Sequence, residues 1–291
     1  MSDRTIAVIG LDTSHTVAFT QLMQKPGSKC VDGMRVTRAL RFPSVFQTEA
    51  GQDARQAELE AMGVSMATTL AEAVADVDAV FLEINDPALH LQYFQQVVGF
   101  GKPVFIDKPL AANVTEARQI QELAAKHGIP VWSSSSLRFI PALAEARAAV
   151  PNPVRAHTFG ALGRAAAGSD LIWYGVHAVE MFVAALGTGA AAVRACEEKS
   201  GITLLVRYAD ERSGLVECLR GFGAYGGRLQ SKERVVFFDS SAGSPYEALM
   251  GALRGFVVDG KVPVPLTEAQ EVMAILEAGE TSLIKGSEIE L

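Results

Sequence analysis

The feature that most constrains this chain is a regular alternation of short apolar runs and helix-forming segments over its first 137 residues. The runs are a few residues long and rich in Val, Ile and Ala, which is typical of strands buried on both faces of a sheet. The segments between them carry ordinary helix boundaries, such as Pro87 at a start and Gly101 and Gly128 at ends. Strands that alternate with helices predict a parallel sheet with helices on both faces, a Rossmann-type α/β domain.

The predicted elements of this first domain can be assigned individually from the apolar periodicity. The strands are expected at Thr5–Gly10, Met34–Leu40, Ala79–Ile84, Val104–Ile106 and Val131–Ser134. The helices are expected at Thr16–Met23, Gln52–Met62, Thr69–Ala75, Pro87–Phe100 and Thr115–His127.

The pattern changes after about Phe139, where longer alternating runs replace most of the helical periodicity. Alternation over such lengths predicts strands with one face against helices. We therefore expect residues 138–291 to form an α+β domain on a mostly antiparallel open sheet, following a dinucleotide-binding domain at residues 1–137. The predicted strands are Val154–Leu162, Ile202–Tyr208, Leu215–Arg220 and Glu233–Phe238, and the helices are Val176–Leu186, Pro245–Val258 and Thr267–Ala278.

Composition narrows the class of protein. The formal charge of −7 argues against binding to nucleic acid or to a membrane surface, since both are polyanions. The cysteines Cys30, Cys196 and Cys218 form no C-x-x-C pair, so neither a disulfide framework nor a structural zinc site is expected. No secretory leader pattern and no apolar run of membrane-spanning length is apparent. These features predict a reduced, cytoplasmic protein.

The turn after the first strand is the place where a dinucleotide fold usually carries G-x-G-x-x-G. Here only Gly10 matches, and Asp12 and His15 occupy the second and third glycine positions. The Thr13 and Ser14 hydroxyls can bind phosphate oxygens at a helix N-terminus, and His15 can add a donor or a positive charge. The Asp12 charge would weaken pyrophosphate binding unless it points away. A plain helix cap without a phosphate is the open alternative.

The end of the second predicted strand bears on the choice of cofactor. An acidic residue normally binds the ribose hydroxyls there, but the stretch from Arg38 to Ser44 has none. Arg41 and Ser44 would suit a 2′-phosphate, which favours NADP, whereas a solvated loop arginine is the alternative. The cofactor is therefore predicted as NAD or NADP.

Two later segments carry further motifs, and the first runs from Asp78 through Asn85 and His90 to Asp107-Lys108-Pro109-Leu110. It resembles the Gfo/Idh/MocA oxidoreductase family, which has Glu-Lys-Pro-Leu at the end of this segment. The second, from Trp173 through His177 to Glu180, is similar to the family pattern D-x-G-x-H-x-x-D. Their order and spacing extend the resemblance over nearly the whole chain.

The resemblance implies an NAD(P)-dependent dehydrogenase that transfers hydride between nicotinamide and a sugar-like or polyol substrate. It further implies that Lys108 is the active-site lysine and His177 the catalytic histidine. Gly10 and the loop behind it match the pyrophosphate site, while Asn85 and His90 match a loop that lines the cofactor. Asp107 replaces the glutamate of the family motif, beside the same site. A homo-oligomer formed through the C-terminal sheet is also implied.

The residues themselves are compatible with those roles. Lys108 follows a buried strand at the carboxyl edge of the sheet, where ligands bind in open α/β folds. Pro109 holds the backbone of Lys108 in an extended conformation. The alternative is a lysine that merely caps a strand beside Asp107. His177 and Glu180 are three residues apart on one helix face, so Glu180 can orient the imidazole, although the pair can equally be structural. No third ligand is apparent by spacing, and no metal site is predicted.

Trp173 stands where the resemblance leads one to expect an acid. A positioned acid or base contributes about 10²- to 10⁴-fold to rate, so this departure bears directly on activity. Trp173 and Tyr174 can instead stack on a sugar face or the nicotinamide, and Ser136 and Arg138 are further candidate substrate contacts. Two alternatives remain open: a non-catalytic cofactor or ligand sensor on the same scaffold, and a Rossmann enzyme of non-redox chemistry.

Overall fold

The computed structural model describes residues 2–291, which divide into two compact units. The first comprises the chain up to Ser133 together with Leu249–Leu266, and the second comprises Ser134–Ala248 and Thr267–Leu291. The boundary predicted after residue 137 lies four residues beyond Ser133. The prediction of one boundary did not anticipate that the later segment Leu249–Leu266 belongs to the first unit. No helix among residues 2–291 combines the length and apolar character needed to cross a membrane.

The first unit contains the parallel sheet that the alternating pattern predicts. The strand order β3-β2-β1-β4-β5-β6 is that of a dinucleotide-binding fold. Only the edge strand β3 was not predicted, since a two-residue strand leaves no periodic pattern. The strands are β1 (Arg4–Ile9), β2 (Met34–Leu40), β3 (Ser65–Met66), β4 (Ala79–Leu82), β5 (Val104–Ile106) and β6 (Val131–Ser133).

The predicted helices of this unit are present, with one subdivision. The segment predicted as a single helix from Pro87 is a 3₁₀ turn (Pro87–Leu89), the helix α4 and a second 3₁₀ turn (Val98–Phe100). The side chains of Thr48, Thr69 and Asn113 cap the helices that follow them. The helices are α1 (His15–Gln24), α2 (Glu49–Ala61), α3 (Leu70–Val74), α4 (His90–Val97) and α5 (Val114–His127).

An aromatic cluster explains why the segment Leu249–Leu266 belongs to the first unit. Phe105 and Trp132, on neighbouring strands, have ring centroids 5.1 Å apart, and Phe256 packs edge-on against Trp132 at 5.8 Å. All three side chains are fully buried. Burying rings of this size stabilises a unit by several kcal/mol in total, at about 1.5–3 kcal/mol each. The late apolar segment is therefore a part of the first unit's core.

The second unit is built on a seven-stranded mixed sheet of order β12-β11-β7-β10-β9-β8-β13. Neighbouring strands are antiparallel except β7 and β10, which run parallel, so the expected mostly antiparallel α+β architecture is confirmed. The strands are β7 (Arg155–Ala161), β8 (Ala190–Glu198), β9 (Gly201–Tyr208), β10 (Ser213–Leu219), β11 (Gly226–Gln230), β12 (Val235–Asp239) and β13 (Ile289–Glu290).

Four further helices complete the chain: α6 (Pro141–Ala149), α7 (Val176–Leu186), α8 (Pro245–Asp259) and α9 (Leu266–Lys285). Every residue of α7 is buried, and the Thr158 hydroxyl of β7 donates a hydrogen bond to Ala178 O at 2.9 Å. Ser282 of α9 accepts from the backbone N–H of Ala195 in β8. Helices α7 and α9 are thus fastened to the sheet by buried polar contacts as well as by apolar packing.

Candidate active site

Gly10 is fixed at the end of β1 by both backbone conformation and space. Its φ is +110°, and a Cβ atom built there would lie 2.2 Å from the backbone oxygen of Glu83. No larger residue fits without displacing the end of β4. The single glycine kept from the dinucleotide motif is therefore required by the close approach of two strand ends.

Asp12 does not present its carboxylate as a free charge in the turn. It is buried, and it accepts hydrogen bonds from the Ser44 hydroxyl at 2.7 Å and from the backbone N–H of Asn85 at 3.0 Å. Burial raises the pKa of Asp12, while the Ser44 and Asn85 hydrogen bonds act in the opposite direction. Asp12 and Asn85 thus tie together the loops that follow β1 and β4, and the expected repulsion of pyrophosphate is reduced.

The residues that begin α1 have separate environments. The Thr13 hydroxyl accepts from the backbone N–H of His15 at 3.3 Å, whereas Ser14 is exposed and its side chain does not cap the helix. The His15 ring stacks on Phe19, and its Nδ1 lies 2.7 Å from Asp107 Oδ2. His15 therefore contacts the lysine motif after β5, a contact that its place in the glycine loop did not predict.

The start of α1 fits a nucleotide phosphate. Gly10 allows close backbone approach, and the helix N-terminus follows without a capping side chain from Ser14. Backbone N–H groups and the helix dipole at such a position favour an anion. Arg55 of α2, which sequence reasoning missed, adds a cation beside the turn by donating to Leu11 O at 2.8 Å.

Arg41 is engaged in ion pairs with α2. Its guanidinium donates to Glu49 at 2.5 Å and to Asp53 at 2.6 Å. An arginine held between two carboxylates is poorly placed to compete for a 2′-phosphate. Arg41 would have to leave these carboxylates to bind a 2′-phosphate, and the choice between NAD and NADP stays a prediction.

His90 is buried at the start of α4 and binds backbone rather than open space. Its Nε2 lies 2.8 Å from Ile84 O and its Nδ1 lies 3.3 Å from Leu110 O. These carbonyl groups belong to the loops that follow β4 and β5. The fully buried His90 ring thus holds those two loops together, and the expectation that its loop lines the cofactor stays a prediction.

Lys108 is placed at the carboxyl edge of the sheet, directly after β5, and only 6% of its surface is exposed. Its backbone N–H donates to Asp107 Oδ1 at 2.8 Å, and the peptide bond to Pro109 is cis. Burial lowers the pKa of the Lys108 amine, while the Asp107 and Glu83 carboxylates act to raise it. A buried amine with a perturbed pKa at this edge is a candidate for chemistry.

Glu83, which the sequence reasoning did not single out, lies at the end of β4 beside this lysine motif. It is 1% exposed, and neither of its carboxylate oxygens has a hydrogen-bond partner within residues 2–291. Burial, followed by the charge of Asp107, raises its pKa well above the ordinary value. The only sequence signal was a charged residue inside an otherwise apolar strand run.

His177 is the centre of the candidate residues in the second unit. A π-helical turn (Leu171–Gly175) runs directly into α7 and places His177 in the first turn of that helix. The imidazole Nδ1 lies 2.7 Å from the Ser135 hydroxyl oxygen, and the rings of Tyr174 and Tyr225 lie nearly perpendicular to the imidazole, with centroids 5.2 and 5.9 Å away. When Nδ1–H donates to Ser135, Nε2 is left to accept a proton. Neither Ser135 nor Tyr225 was predicted.

Glu180 does not orient His177, so that prediction needs correction. Its carboxylate accepts from Arg138 at 2.7 Å and, more weakly, from the Ser134 hydroxyl at 3.4 Å. Arg138 also pairs with Glu268 of α9. Burial raises the pKa of Glu180, and the Arg138 charge opposes that rise. Arg138 and Glu180 therefore form a buried, charge-compensated network rather than a second acid at the histidine.

The other predicted substrate residues have defined places in the second unit. Trp173 and Tyr174 are half-buried in the π-helical turn, and their rings pack over Gly163, where a Cβ would lie about 3.0 Å from Trp173. Ser136 is buried in the 3₁₀ turn Ser136–Phe139. Packing thus accounts for much of the Trp173 surface, although both residues stay partly exposed.

Comparisons with known proteins place these observations in context. Residues 5–135 match the model of the Gfo/Idh/MocA oxidoreductase family, described as having an NAD-binding Rossmann fold. The chain is 30% identical over 90 residues to myo-inositol dehydrogenase Hyg17 of Streptomyces leeuwenhoekii, and that match covers 31% of this chain and 27% of the relative. It is 23% identical over 238 residues to protein YMR315W of Saccharomyces cerevisiae, covering 70% of this chain and 63% of the relative.

Similarity in fold extends over the full length. The crystal structure of scyllo-inositol dehydrogenase from Lactobacillus casei with bound NAD(H) and scyllo-inositol superposes with a TM-score of 0.82. The match covers 99% of each chain at 13% sequence identity. At that identity the likeness establishes the two-unit fold.

Proposed function

We propose that the chain, whose residues 5–135 match the Gfo/Idh/MocA oxidoreductase family with its NAD-binding Rossmann fold, is an NAD(P)-dependent dehydrogenase acting on a sugar-like or polyol substrate. The observation that carries the proposal is the buried Lys108 at the carboxyl end of β5, in a sheet of dinucleotide-binding order. The inositol dehydrogenases among the similar proteins support the substrate class.

Each candidate residue has a proposed task. The bound nicotinamide supplies the hydride acceptor or donor. Gly10 and the N-terminus of α1 bind its pyrophosphate, and Arg55 adds positive charge nearby. Lys108 donates a hydrogen bond to the reacting substrate oxygen, which stabilises negative charge on that oxygen.

His177 is the proposed general acid and base in the second unit. In alcohol oxidation its Nε2 accepts the hydroxyl proton, while Ser135 holds Nδ1 and thereby selects the required tautomer. The hydroxyls of Tyr174 and Tyr225 lie on rings that flank the imidazole, and burial raises the pKa of Tyr225, so Tyr225 remains a hydrogen-bond donor.

The experiment that tests the proposal has two readouts on the purified protein. Titration of NADH and of NADPH by fluorescence measures cofactor binding, and the absorbance of reduced nicotinamide measures turnover on a panel of sugars and polyols. We expect binding of at least one cofactor and turnover of at least one polyol. Failure to bind either cofactor contradicts the dehydrogenase, whereas binding without turnover on any substrate favours a sensor on the same scaffold.

We also propose that a second copy of the chain covers the open face of the second unit's sheet. Five residues in register across five strands leave this face wholly or partly exposed, and three of them are apolar; they are Phe237, Arg228, His157, Leu215 and Leu205. Large apolar side chains exposed together on a sheet face indicate an association surface. Sedimentation should show a dimer or larger species that Leu215→Asp dissociates, while Ile284→Asp on α9, which is 84% exposed, leaves it intact. A monomeric wild-type protein contradicts this proposal.

A further inference from the structure

Glu83 and Asp107 are brought side by side by the sheet itself. Strands β4 and β5 are parallel neighbours, and Leu82 pairs with Ile106 at their carboxyl ends. Glu83 and Asp107 are the next residues on each strand, and both are buried. Two carboxyl groups at adjacent ends of a parallel sheet thus lie next to the buried amine of Lys108.

The two carboxyl groups differ in their partners. Asp107 accepts from the backbone N–H of Lys108 through Oδ1, and its Oδ2 lies 2.7 Å from His15 Nδ1. Both oxygens of Glu83 lack a hydrogen-bond partner among residues 2–291. One ligand-type atom from each of His15, Glu83 and Asp107 lies within 4.8 Å of the others, so a modest side-chain rotation can join the two carboxyl groups through a proton.

The charges around the pair indicate which group holds that proton. A buried carboxylate with no partner is costly, and the neighbouring Asp107 charge adds repulsion, so the pKa of Glu83 is raised. Burial also acts to raise the pKa of Asp107, but His15 and Lys108 outweigh it and place that pKa below the ordinary value. Two adjacent carboxyl groups with opposite shifts are the arrangement in which one proton is shared.

A divalent cation is the other occupant that this set of groups suggests, because one imidazole and two carboxylates can ligate a metal. The charge of Lys108 opposes it. The Lys108 amine acts electrostatically on both Glu83 and Asp107, so its ammonium form would repel a metal ion bound between them. The observations therefore favour a proton.

We propose that Glu83 and Asp107 share one proton, that this proton exchanges with solvent through His15, and that its release keeps Lys108 in the ammonium form. His15 is the most exposed member of the cluster, with 13% of its side chain accessible, and it contacts Asp107 directly. Exchange breaks a carboxyl O–H bond and forms an N–H bond on the imidazole, which then passes a proton to water, and no electron pair leaves the groups.

The consequence for Lys108 follows from the sign of the interaction. As pH rises, Glu83 loses the shared proton and becomes a second negative charge beside the amine. That charge raises the pKa of Lys108 and so postpones loss of the ammonium proton. Glu83 is thus a positioning residue that acts through Lys108, and its effect on turnover rests on the function proposed above.

The first test needs no substrate. Infrared difference spectra at neutral pH should show the carbonyl stretch of a protonated carboxyl group in the wild-type protein. The band should be lost in Glu83→Gln and kept in Glu72→Gln, whose carboxyl is exposed. Because Asp107→Asn keeps Glu83 as a buried carboxyl group, it should retain a protonated band at a changed frequency. Spectra that are the same for the wild type and Glu83→Gln overturn the proposal.

The second test follows turnover. In Glu83→Gln the alkaline limb of kcat/KM should move to lower pH by about one unit, the size expected for loss of one nearby charge. The KM at neutral pH should be unchanged, and Glu83→Asp should restore part of the shift. An unmoved alkaline limb overturns the role assigned to Glu83. If no substrate is turned over, the proposed function has failed, and the infrared band still decides whether the proton is shared.

Metal analysis tests the alternative that a divalent cation, rather than a proton, lies between the two carboxyl groups. Wild-type protein isolated without chelators should contain no stoichiometric zinc or manganese, and added Zn²⁺ should not raise its melting temperature. One equivalent of metal that disappears in Glu83→Gln would show a cation in place of the proton and overturn the proposal.

Discussion

Each of the two units contains a buried glutamate near its candidate catalytic residue, and the two glutamates have opposite surroundings. Glu180 in the second unit accepts hydrogen bonds from Arg138 and Ser134, and Arg138 is balanced further by Glu268. Glu83 in the first unit has no such partner among residues 2–291. The difference teaches that a compensated buried acid holds a fold together, whereas an uncompensated one is available to exchange a proton.

The largest effect on stability is expected when the cation that pairs with a buried glutamate is removed. Arg138→Met leaves Glu180 buried without its cation, and loss of one partner of a buried ion pair costs about 3–5 kcal/mol. Chemical denaturation should show that loss, whereas Arg147→Met, on the exposed side of α6, should change stability little. If Arg138→Met is as stable as the wild type, Glu180 does not need its cation. The proposed difference between Glu180 and the unpartnered Glu83 would then be wrong.

Gly10→Ala tests the close approach that places Glu83. The new Cβ would meet Glu83 O at 2.2 Å and would also sit at a positive φ. The matched control is Gly27→Ala, where φ is +83° but nothing lies within 4 Å. Strain at φ costs both variants about 1–3 kcal/mol, and the clash should cost Gly10→Ala about 1–3 kcal/mol more. Equal losses of unfolding free energy would show that β4 can move away.

Ser135→Ala tests the hydrogen bond that holds His177 in the second unit. Removing the hydroxyl frees Nδ1 of His177, and one such hydrogen bond contributes about 0.5–1.5 kcal/mol. We expect kcat to fall about threefold to tenfold with KM nearly unchanged, and the free energy of unfolding to fall by about 1 kcal/mol, because the Ser135 hydroxyl also accepts from the backbone N–H of Leu137. Ser134→Ala, which removes the long contact to Glu180 and a 3.2 Å contact to Ser135 O but leaves the hydrogen bond between Ser135 and His177, is the control. A drop in stability without a drop in kcat would make Ser135 purely structural.

Arg41→Ala should have the smallest effect. Its guanidinium is already paired with Glu49 and Asp53 at the surface, and exposed ion pairs of this kind contribute little. The ratio of NADPH to NADH affinity, measured by fluorescence titration, should change by less than about threefold. A large selective loss of NADPH affinity would restore the 2′-phosphate role predicted from sequence.

The fold was predictable because it depends on periodicity. The buried runs of β1, β4 and β5 and the helices between them carry patterns that do not need a partner to be recognised. By contrast, α6, β8 and β11 were missed, since an alanine-rich helix and strands with alanine or glycine runs give weak apolar contrast. The segment Leu249–Leu266 could not be assigned to the first unit from sequence, because the contact that places it there joins Phe256 to Trp132, which is far away along the chain.

The candidate site was predictable in part. Lys108 and Gly10 follow from their places after strands, which sequence can locate. The partners of each group could not be predicted, because His15 with Asp107, Asp12 with Ser44 and Arg138 with Glu180 join residues from separate elements. Spacing alone paired Glu180 with His177, which is a neighbour on the helix but is not its partner.

The most direct test of the central claim is Lys108→Met, compared with Lys102→Met in the loop before β5. The measurement is turnover of an identified polyol together with the affinity for reduced cofactor in the same preparations. The account predicts that Lys108→Met loses at least about 100-fold in kcat while cofactor affinity stays within about twofold, and that Lys102→Met behaves as the wild type. Wild-type turnover in Lys108→Met would contradict it.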